Sequence, residues 1–452
     1  MNIIIVGCGK VGRALTQQLN EAGNNITVID LIPEKVNDLT DRYDVMGITG
    51  NGATHAVLEE AGIDEANLLI AVTGSDERNL LCCILAKKAG NKCATIARVR
   101  SPQYSNDAPY LRRELGLAMV INPEYAAARE IARVLQFPSA IKIDTFVKGR
   151  IELLKFKLPE ESPLCGMAVR DISAKLHVDV QVCTIERGAD AYIASGDFVF
   201  QGKDVISIIA EPKTAYTFFR KIDYKASPVH NVLIAGGGDI THYLCDLLTK
   251  SGIDVKVIEK DARRADELSE VLSDVTVIHA DAANQEVLMQ ENVDKAGAFV
   301  ALTNLDEENI LLSLFARTVS KGKMVTKINR IDFDRVIDHL DLDTIIYPKN
   351  VTSDIIVRYV RAMKNTIGSN VETLYQLIKG KVEAAEFLIR DGSPVIGVPL
   401  MKLALREGVL VAAIVRNRKV ILPRGNDAFQ DGDSVVIISN HLGLHDITDT
   451  LR

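Results

Sequence analysis

Short apolar runs alternate with amphipathic segments of helical length over residues 2–135, and the same pattern returns over residues 230–361. The apolar runs are rich in β-branched residues, as in IIIV at 3–6. The segments between them, such as 10–22 and 77–89, have the length and polarity of surface helices. Strands that alternate with helices predict βαβ units and parallel sheets. We therefore predict two Rossmann-like, doubly wound α/β domains.

The remaining segments have a different pattern. They hold short alternating strands separated by Gly, Pro and Asp, as in GRIELLKFKLPEESPLCG at 149–166. This pattern is typical of small, largely antiparallel α+β modules. Joints are expected at FPSA (137–140) and KASP (225–228). The predicted domains, alternately large and small, are residues 1–124, 140–224, 229–349 and 367–452.

The two halves of the chain repeat each other. Sliding the sequence along itself by about 229 residues superposes short motifs in the same order. The superposed pairs are GCGKVG (7–12) with GGGDIT (236–241), VID (28–30) with VIE (257–259), and AVTGSDERN (71–79) with ALTNLDEEN (301–309). Each repeat therefore comprises one large domain and one small module.

The first repeat carries a dinucleotide-binding pattern. Gly7, Gly9 and Gly12 form GxGxxG between a predicted strand and a predicted helix, and Asp30 follows 18 residues after Gly12. Such glycines allow a tight turn, close approach of a pyrophosphate and close helix packing, and the acidic residue accepts hydrogen bonds from ribose hydroxyls. We expect a nucleotide here, with NAD(H) favoured over NADP(H) because Asp30 would repel a 2′-phosphate. The alternative is an empty structural turn.

The second repeat carries an altered copy of this loop. Gly236, Gly237 and Gly238 are present, but Thr241 stands at the third motif position and Glu259 replaces the aspartate. A threonine needs more room between helix and sheet than a glycine does. We expect a site of altered shape and ligand preference, and the alternative is a structural remnant.

Further candidates follow the predicted strands, where ligands lie in doubly wound sheets. Thr73 and Gly74 follow the fourth strand, with Thr303 as the counterpart in the second repeat. Arg98 and its counterpart Lys327 end the fifth strand, where a cation could reach nucleotide phosphates. The alternatives are helix capping after Thr73 and an ordinary surface ion pair for the cations.

Composition narrows the class of protein. The chain is 47% hydrophobic and 25% charged, and it contains no apolar run long enough to span a bilayer. A net charge of −7 without a long basic run argues against nucleic-acid binding. Its seven cysteines form no CxxC pair, which indicates reduced thiols in the cytoplasm rather than disulfides or zinc ligands.

The sequence offers little catalytic chemistry. Tyr375 and Lys379 match a YxxxK spacing, but the flanking pattern is not helical. His441 and His445 are four residues apart, without a third ligand to complete a metal site; a solvated C-terminal helix explains them better. We therefore expect no catalytic residue and no bound metal.

GCGKVG, VID, TGNGAT, AVTGSDERN, IARV and VINPE, in this order and followed by a small module, resemble the RCK family. These domains regulate conductance of potassium and are also described as the TrkA-N and TrkA-C pair. Two tandem copies in one chain are similar to the peripheral subunits of bacterial and archaeal Trk potassium uptake systems. The resemblance covers nearly the whole chain.

The resemblance implies a function and a set of ligands. Large domains of the family pair and assemble into a ring, here a tetramer of tandem chains, under a separate membrane subunit of the TrkH or TrkG type. NAD(H), ATP or ADP would change the ring and thereby the pore. Such a protein is not an enzyme; it is cytoplasmic and peripheral at the inner face of the membrane.

The resemblance also maps nucleotide-binding positions onto both repeats. In the first repeat they are Gly7, Cys8, Gly9, Lys10, Val11, Gly12, Asp30, Thr73, Gly74 and Arg98. In the second they are Gly236, Gly237, Gly238, Asp239, Ile240, Glu259 and Thr303. Two rival hypotheses are an NAD-dependent oxidoreductase, which would turn over a nicotinamide cofactor, and a scaffold in which neither loop binds a ligand.

Overall fold

The chain folds into two compact units. A computed structural model describes residues 1–452 except 90–92, 102–103, 105–106, 137–140, 148–149, 189, 223–228, 330–333, 338–339, 341, 366–370, 379 and 445. The first unit combines Met1–Ala132 with His230–Val357, and the second combines Arg133–Val229 with Arg358–Arg452. The large domains of both repeats thus belong to one unit and the small modules to the other. The predicted joints at 137–140 and 225–228 lie outside the described residues.

The first unit contains a βαβ series from each repeat. The elements of the first repeat are β1 (Asn2–Val6), α1 (Lys10–Glu21), β2 (Asn25–Asp30), α2 (Pro33–Thr40), β3 (Met46–Thr49), α3 (His55–Glu60), β4 (Leu68–Ala71), α4 (Asp76–Ala89), β5 (Ala94–Arg98), α5 (Ala108–Glu114), β6 (Met119–Ile121) and α6 (Pro123–Gln136). The second repeat follows the same order.

The second series starts after the first small module. Its elements are β12 (Asn231–Ala235), α9 (Asp239–Thr249), β13 (Asp254–Glu259), α10 (Ala262–Val271), β14 (Val275–His279), α11 (Gln285–Gln290), β15 (Ala298–Ala301), α12 (Asp306–Val319), β16 (Lys323–Lys327), α13 (Asp334–Ile337), β17 (Thr344–Ile346) and α14 (Pro348–Asn365).

Each series builds a parallel sheet. The strand orders are β3-β2-β1-β4-β5-β6 and β14-β13-β12-β15-β16-β17. The central strands are largely apolar, as expected where helices cover both faces of a sheet; in β1, Ile3, Ile4 and Ile5 are all buried. The strand order reverses next to β1 and β12, where ligands bind in folds of this type. The predicted fold class, two doubly wound sheets each followed by an α+β module, is confirmed.

The second unit contains two largely antiparallel sheets. The first repeat contributes β7 (Lys142–Phe146), β8 (Ile151–Lys157), α7 (Ile172–Leu176), β9 (Gln181–Arg187), β10 (Asp190–Ile193), β11 (Val205–Ala210) and α8 (Pro212–Lys221). The second contributes β18 (Val371–Ile378), β19 (Val382–Leu388), β20 (Val409–Arg416), β21 (Lys419–Ile421) and β22 (Ser434–Ser439). The strand orders are β10-β9-β11-β8-β7 and β18-β19-β22-β20-β21.

The two small modules share a core. Phe146 and Ile151 of the first module pack in one buried cluster with Ala384 and Ile438 of the second. At its edge, the ring of Tyr375 meets Phe146 with 4.8 Å between centroids. Each module thereby buries apolar area that it would expose alone. Burial of such area stabilises the folded state by about 25 cal/mol per Å².

One ion pair between a partly exposed arginine and a buried aspartate recurs in both modules. Arg416 donates from Nε and Nη2 to the two carboxylate oxygens of Asp433 at 2.9 and 2.8 Å, and the Gln430 amide donates to Asp433 Oδ2 at 2.8 Å. Arg187 and Asp204 repeat this geometry, with both distances 2.8 Å. Each aspartate therefore joins the end of one strand, β9 or β20, to the turn before the neighbouring strand of the sheet, β11 or β22.

Among the described residues, no helix is both long and apolar enough to cross a membrane.

We expect Asp433→Ala to destabilise the protein by about 2 kcal/mol, because it removes the buried acceptor of the hydrogen bonds from Arg416 and from the Gln430 amide. Urea denaturation of the full chain measures this change. Asp197→Ala is the matched control, since Asp197 pairs with Arg170 in an exposed position and surface pairs contribute little. Equal effects of the two substitutions would show that this pair is not a structural joint.

Candidate functional site

The first glycine loop makes a close turn between β1 and α1. Gly7 has a φ of +107°, and a Cβ there would meet backbone atoms of Val72 and Thr73 at 2.9 Å. A Cβ on Gly12 would lie 1.9 Å from the carbonyl oxygen of Gly7. Both positions therefore require glycine, one for its backbone conformation and one for the close approach of α1.

Gly9 has a different role in the loop. It precedes α1 with a φ of −74°, which any residue can adopt, and a Cβ there would meet nothing within 4 Å. Since glycine has no side chain to cap the helix, the first amide groups of α1 remain directed at the space beside it. This arrangement suits an anion at the helix N-terminus.

Asp30 ties the loop to the end of β2. Its Oδ2 accepts a hydrogen bond from the Cys8 amide at 2.7 Å, and its Oδ1 accepts one from the Ile32 amide at 3.0 Å. A carboxylate has about four acceptor sites, so these bonds leave capacity for ribose hydroxyls. Cys8 itself lies buried beneath the loop, and burial, followed by the charge of Asp30, raises the pKa of its thiol to about 12. The thiol is therefore protonated and unreactive at neutral pH.

Asn79 holds the neighbouring strand ends in place. Its Oδ1 accepts hydrogen bonds from the amide and the hydroxyl of Thr73, both at 2.7 Å, and its Nδ2 donates to the Arg98 carbonyl at 2.9 Å. Sequence reasoning did not select Asn79. A signal was present, because Asn309 stands at the corresponding place in ALTNLDEEN and likewise bonds to the Thr303 amide and the Lys327 carbonyl.

Cations at the ends of β5 and β16 are largely buried. Arg98 Nη2 donates to the Thr73 carbonyl, and burial, followed by the charge of Arg100, lowers the pKa of Arg98. Lys327 Nζ donates to the Leu302 carbonyl at 3.0 Å, and burial lowers the pKa of Lys327 to about 8. Both cations therefore lie inside the domain and bond to backbone carbonyls. An ordinary surface ion pair, the alternative considered for them, would be exposed to solvent.

A cavity of about 510 Å³ opens at the first loop. Gly7, Gly9, Lys10 and Val11 line it from the loop, and Asp30, Thr73, Gly74 and Arg98 line it from the strand ends. The other two predicted positions lie outside the lining: Cys8 is under the loop, and Gly12 is packed against Gly7.

The cavity also has walls that sequence reasoning missed. Lys35 and Arg78 come from the first repeat, whereas Asn329, Pro348 and Lys349 come from the second. The second-repeat residues are far from the glycine loop in sequence, so no local pattern pointed to them. The first nucleotide-site candidate is thus built by both repeats.

The second loop has the same backbone turn as the first, but different side chains surround it. Gly236 has a φ of +100°, and the Gly237 amide donates to Glu259 Oε2 at 2.5 Å, as Cys8 does to Asp30. The hydroxyl of Thr241 donates to the Gly236 carbonyl at 2.5 Å. The threonine that departs from the glycine pattern therefore bonds to the carbonyl that Gly12 merely approaches in the first repeat.

Polar side chains lie across the second loop. Arg264 Nε donates to the Gly237 carbonyl at 2.8 Å, and its Nη2 lies 3.4 Å from Asp239 Oδ1. Asp239 and Ile240 form the first turn of α9, and Thr303 is bonded to Asn309 through its amide at 2.8 Å. The second loop thus places a carboxylate where the first places Lys10.

The remaining chemical candidates belong to the second compact unit. Tyr375 is in strand β18 and its hydroxyl donates to the Thr145 carbonyl at 2.7 Å, while Lys379 lies outside the described residues. His441 follows β22 in an irregular segment instead of the expected helix, and His445 lies outside the described residues. In the part of the chain that is described, no cluster of three or more His, Cys, Asp or Glu side chains could hold a metal ion.

Comparisons with known proteins agree with this architecture. The TrkA-N domain family matches residues 3–123 and 232–348, and the TrkA-C domain family matches residues 153–223 and 384–452. A "Trk system potassium uptake protein TrkA homolog 1" of Methanosarcina mazei is 31% identical over 97% of each chain. The "Trk system potassium uptake protein TrkA" of Vibrio alginolyticus is 29% identical over 97% of this chain and 95% of its own.

Solved structures resemble the chain in fold. The RCK domain of GsuK matches with a TM-score of 0.64 and 17% identity over 97% of this chain and 92% of that chain. A GsuK channel bound to NAD also matches with a TM-score of 0.64 and 17% identity, over 97% of this chain and 76% of that chain. From its tandem domain matches and its full-length relatives, the chain belongs to the TrkA family.

Proposed function

We propose that this chain is a nucleotide-binding regulatory subunit that gates a separate membrane subunit of a Trk potassium uptake system. The observation that carries the proposal is the cavity at the first glycine loop, where Gly9 leaves the N-terminus of α1 open and Asp30, the acidic residue of the dinucleotide-binding pattern, lines the wall. The family relatives are named as potassium uptake proteins. Binding without turnover is the activity that these features support.

The proposed ligands are NAD(H), ATP or ADP. Asp30 favours an unphosphorylated ribose, and the basic side chains of the cavity favour phosphates. GsuK, which shares the fold, has been solved with NAD and with ADP. We propose the same residues for binding as the sequence predicted, with Asn79 holding Thr73 and Arg98 in position.

The proposed assembly is a ring of tandem chains, a tetramer, at the inner face of the membrane beneath a TrkH- or TrkG-type subunit. A ligand can shift such a ring between two packings only by the difference in its affinity for them. Because both repeats line the first cavity, a ligand there contacts both and is sensitive to their relative position. The proposed domains are 1–124, 140–224, 229–349 and 367–452.

Gly9→Asp should weaken nucleotide binding by about 100-fold or more. The added carboxylate would lie where phosphates approach, and like charges brought together cost several kcal/mol. Gly238→Asp makes the same change in the second loop, where a Cβ also meets nothing within 4 Å, so it reports how much of the binding belongs to that loop. Calorimetric titration of both full-length variants with NADH, NAD, ATP and ADP measures the change.

The full chain is needed for this titration, since the large domains of both repeats belong to one unit. Unchanged affinity in Gly9→Asp, or no binding in the unmodified protein, would contradict nucleotide recognition at the first loop. Net conversion of NADH or NAD with a small substrate would support the oxidoreductase hypothesis instead.

In vesicles that contain a Trk-type membrane subunit, addition of the protein should make rubidium flux depend on nucleotide. Asp30→Ala should abolish both nucleotide binding and this dependence, because the loop loses its hydrogen-bond acceptor at Cys8. If Asp30→Ala abolished binding and left nucleotide control of the flux intact, the first loop would not be the regulatory site.

A further inference from the structure

We infer that the unequal side chains of Ala14 and Tyr243 select the partner of each large domain. Tyr243 on α9 fits the start of α6, and Ala14, its counterpart on α1, fits the start of α14. The two different large domains of a chain thereby pair with each other, and identical large domains from two chains do not. The inference concerns pairing alone and does not depend on nucleotide binding.

The duplication gives each large domain a choice of partner. The two large domains have corresponding strand orders and belong to one compact unit. A surface on which one repeat packs against the other is also offered by the identical repeat of a second chain, which allows elements to be exchanged between copies. Discrimination requires contacts that fit the correct partner and do not fit the wrong one. The two halves of the interface must therefore differ.

The contact between α9 and the start of α6 is built around Tyr243, which is 8% exposed. Its hydroxyl donates to the Arg100 carbonyl at 2.9 Å and accepts from Asn122 Nδ2 at 2.9 Å. The ring of Tyr125 meets the ring of Tyr243 edge-on, with 5.6 Å between centroids. A short asparagine before α6 therefore faces a large tyrosine on α9.

The helix after the first glycine loop carries a small residue at the same place. GRAL (12–15) corresponds to THYL (241–244), so Ala14 is the counterpart of Tyr243. The leucines that end both motifs are fully buried, which indicates that α1 and α9 turn the same face towards their own sheets. Ala14 therefore leaves α1 in the direction in which Tyr243 leaves α9.

The segment before α14 carries a large residue where the segment before α6 carries a small one. INPE (121–124) corresponds to IYPK (346–349), so Tyr347 is the counterpart of Asn122. Strand pairing supports this alignment, because the last residues of β5 and β16 pair with the first residues of the two motifs. The tyrosine thus belongs to α9 in one contact and to the segment before α14 in the other.

The reciprocal contact joins α1 to α14. Gln18 in α1 donates to Asp354 in α14 at 3.3 Å, and the starts of both helices line the same cavity. Ala14 is four residues before Gln18 and lies on the same face of α1, one turn nearer its N-terminus. Tyr347 directly precedes α14. The repeat relation and this packing set Ala14 against Tyr347.

Pairing of identical domains would spoil both fits. Two second-repeat domains would bring Tyr243 against Tyr347, so that two rings compete for the space of one, and overpacking destabilises an interface. Two first-repeat domains would bring Ala14 against Asn122. A void would then replace the ring, and the Asn122 amide would lose the hydroxyl to which it donates. The sizes match in both contacts when the first repeat pairs with the second.

Charge does not make this selection. Lys10 and Lys349 line the same cavity, and Glu124 and Asp239 lie close enough for their charges to interact. The observed pairing therefore brings like charges together at both helix starts. Since Asp239 is the counterpart of Lys10 and Glu124 that of Lys349, pairing of identical domains would bring opposite charges together. A contrast in size is needed to favour the observed pairing.

Exchange of the two side chains should exchange the partners. Ala14→Tyr combined with Tyr243→Ala keeps the composition of the chain and gives each glycine-loop helix the residue that fits its own repeat. We expect each large domain to pair with its copy in a second chain. Addition of Asn122→Tyr and Tyr347→Asn exchanges the other half of both contacts and should restore the original pairing.

Cross-linking of the full chain reports which domains pair. Gln18→Cys with Asp354→Cys forms a link when different repeats pair, the mixed link. Gln18→Cys with Arg129→Cys, at the counterpart of Asp354, forms a link when two first repeats pair, the identical-repeat link. Both are made with Cys165→Ser, since Cys165 is partly exposed and the other six cysteines are buried. A short bismaleimide joins the introduced thiols, and mass spectrometry identifies the linked peptides.

The protein without the exchange should form the mixed link and not the identical-repeat link. The two-residue exchange should reduce the yield of the mixed link by about tenfold and produce the identical-repeat link, because an ordinary overpacking penalty shifts an equilibrium by about that factor. The four-residue exchange should recover the mixed link. An undiminished mixed link after the two-residue exchange would overturn the inference, and so would its failure to return after the four-residue exchange.

Gln17→Tyr is the matched control, because it adds a tyrosine to α1 at an exposed position. It should leave the yield of the mixed link unchanged. Loss of the link in this variant would show that any added bulk on α1 breaks the pairing, and the inference of a specific fit would fail. None of these outcomes involves a nucleotide, so failure of the inference would leave the proposed function standing.

Discussion

The close packing of α1 against the preceding loop is the constraint on which the first site depends. Because a Cβ on Gly12 would lie 1.9 Å from the Gly7 oxygen, the helix can approach only with glycine there. That approach brings the helix N-terminus to the edge of the sheet, beside Asp30. In the second repeat Thr241 meets the same constraint differently, since its hydroxyl donates to the Gly236 carbonyl. The backbone turn therefore survives a substitution that removes the motif glycine.

Much of the fold was predictable because its determinants are local. Strand and helix periodicity, the glycines with positive φ and the spacing from Gly12 to Asp30 all act within about 30 residues. Asn79 could have been found as well, because its counterpart Asn309 recurs in the duplicated sequence. Lys349 could not, since its place in the first cavity depends on packing between repeats. No periodicity or motif spacing encodes which helix of one repeat rests on which helix of the other.

The grouping of the domains has a similar physical origin. Large and small domains alternate along the chain, yet each compact unit contains domains of one kind. The small modules share a core in which Phe146 and Ile151 meet Ala384 and Ile438, so each completes the burial of the other. The sequence indicates apolar strand faces in both modules. It does not indicate that each face is covered by its own duplicate, because similar apolar faces are complementary to many surfaces.

The participation of Pro348 and Lys349 in the first cavity has a consequence for biosynthesis. A ribosome completes Asp30 and the first glycine loop early, but the far wall of the cavity is translated only after the first small module and most of the second large domain. A nascent chain therefore holds an unfinished pocket for most of its synthesis. A ligand that contacts this far wall could therefore bind only after Lys349 has emerged from the ribosome, and it could not assist the earlier folding of the first glycine loop.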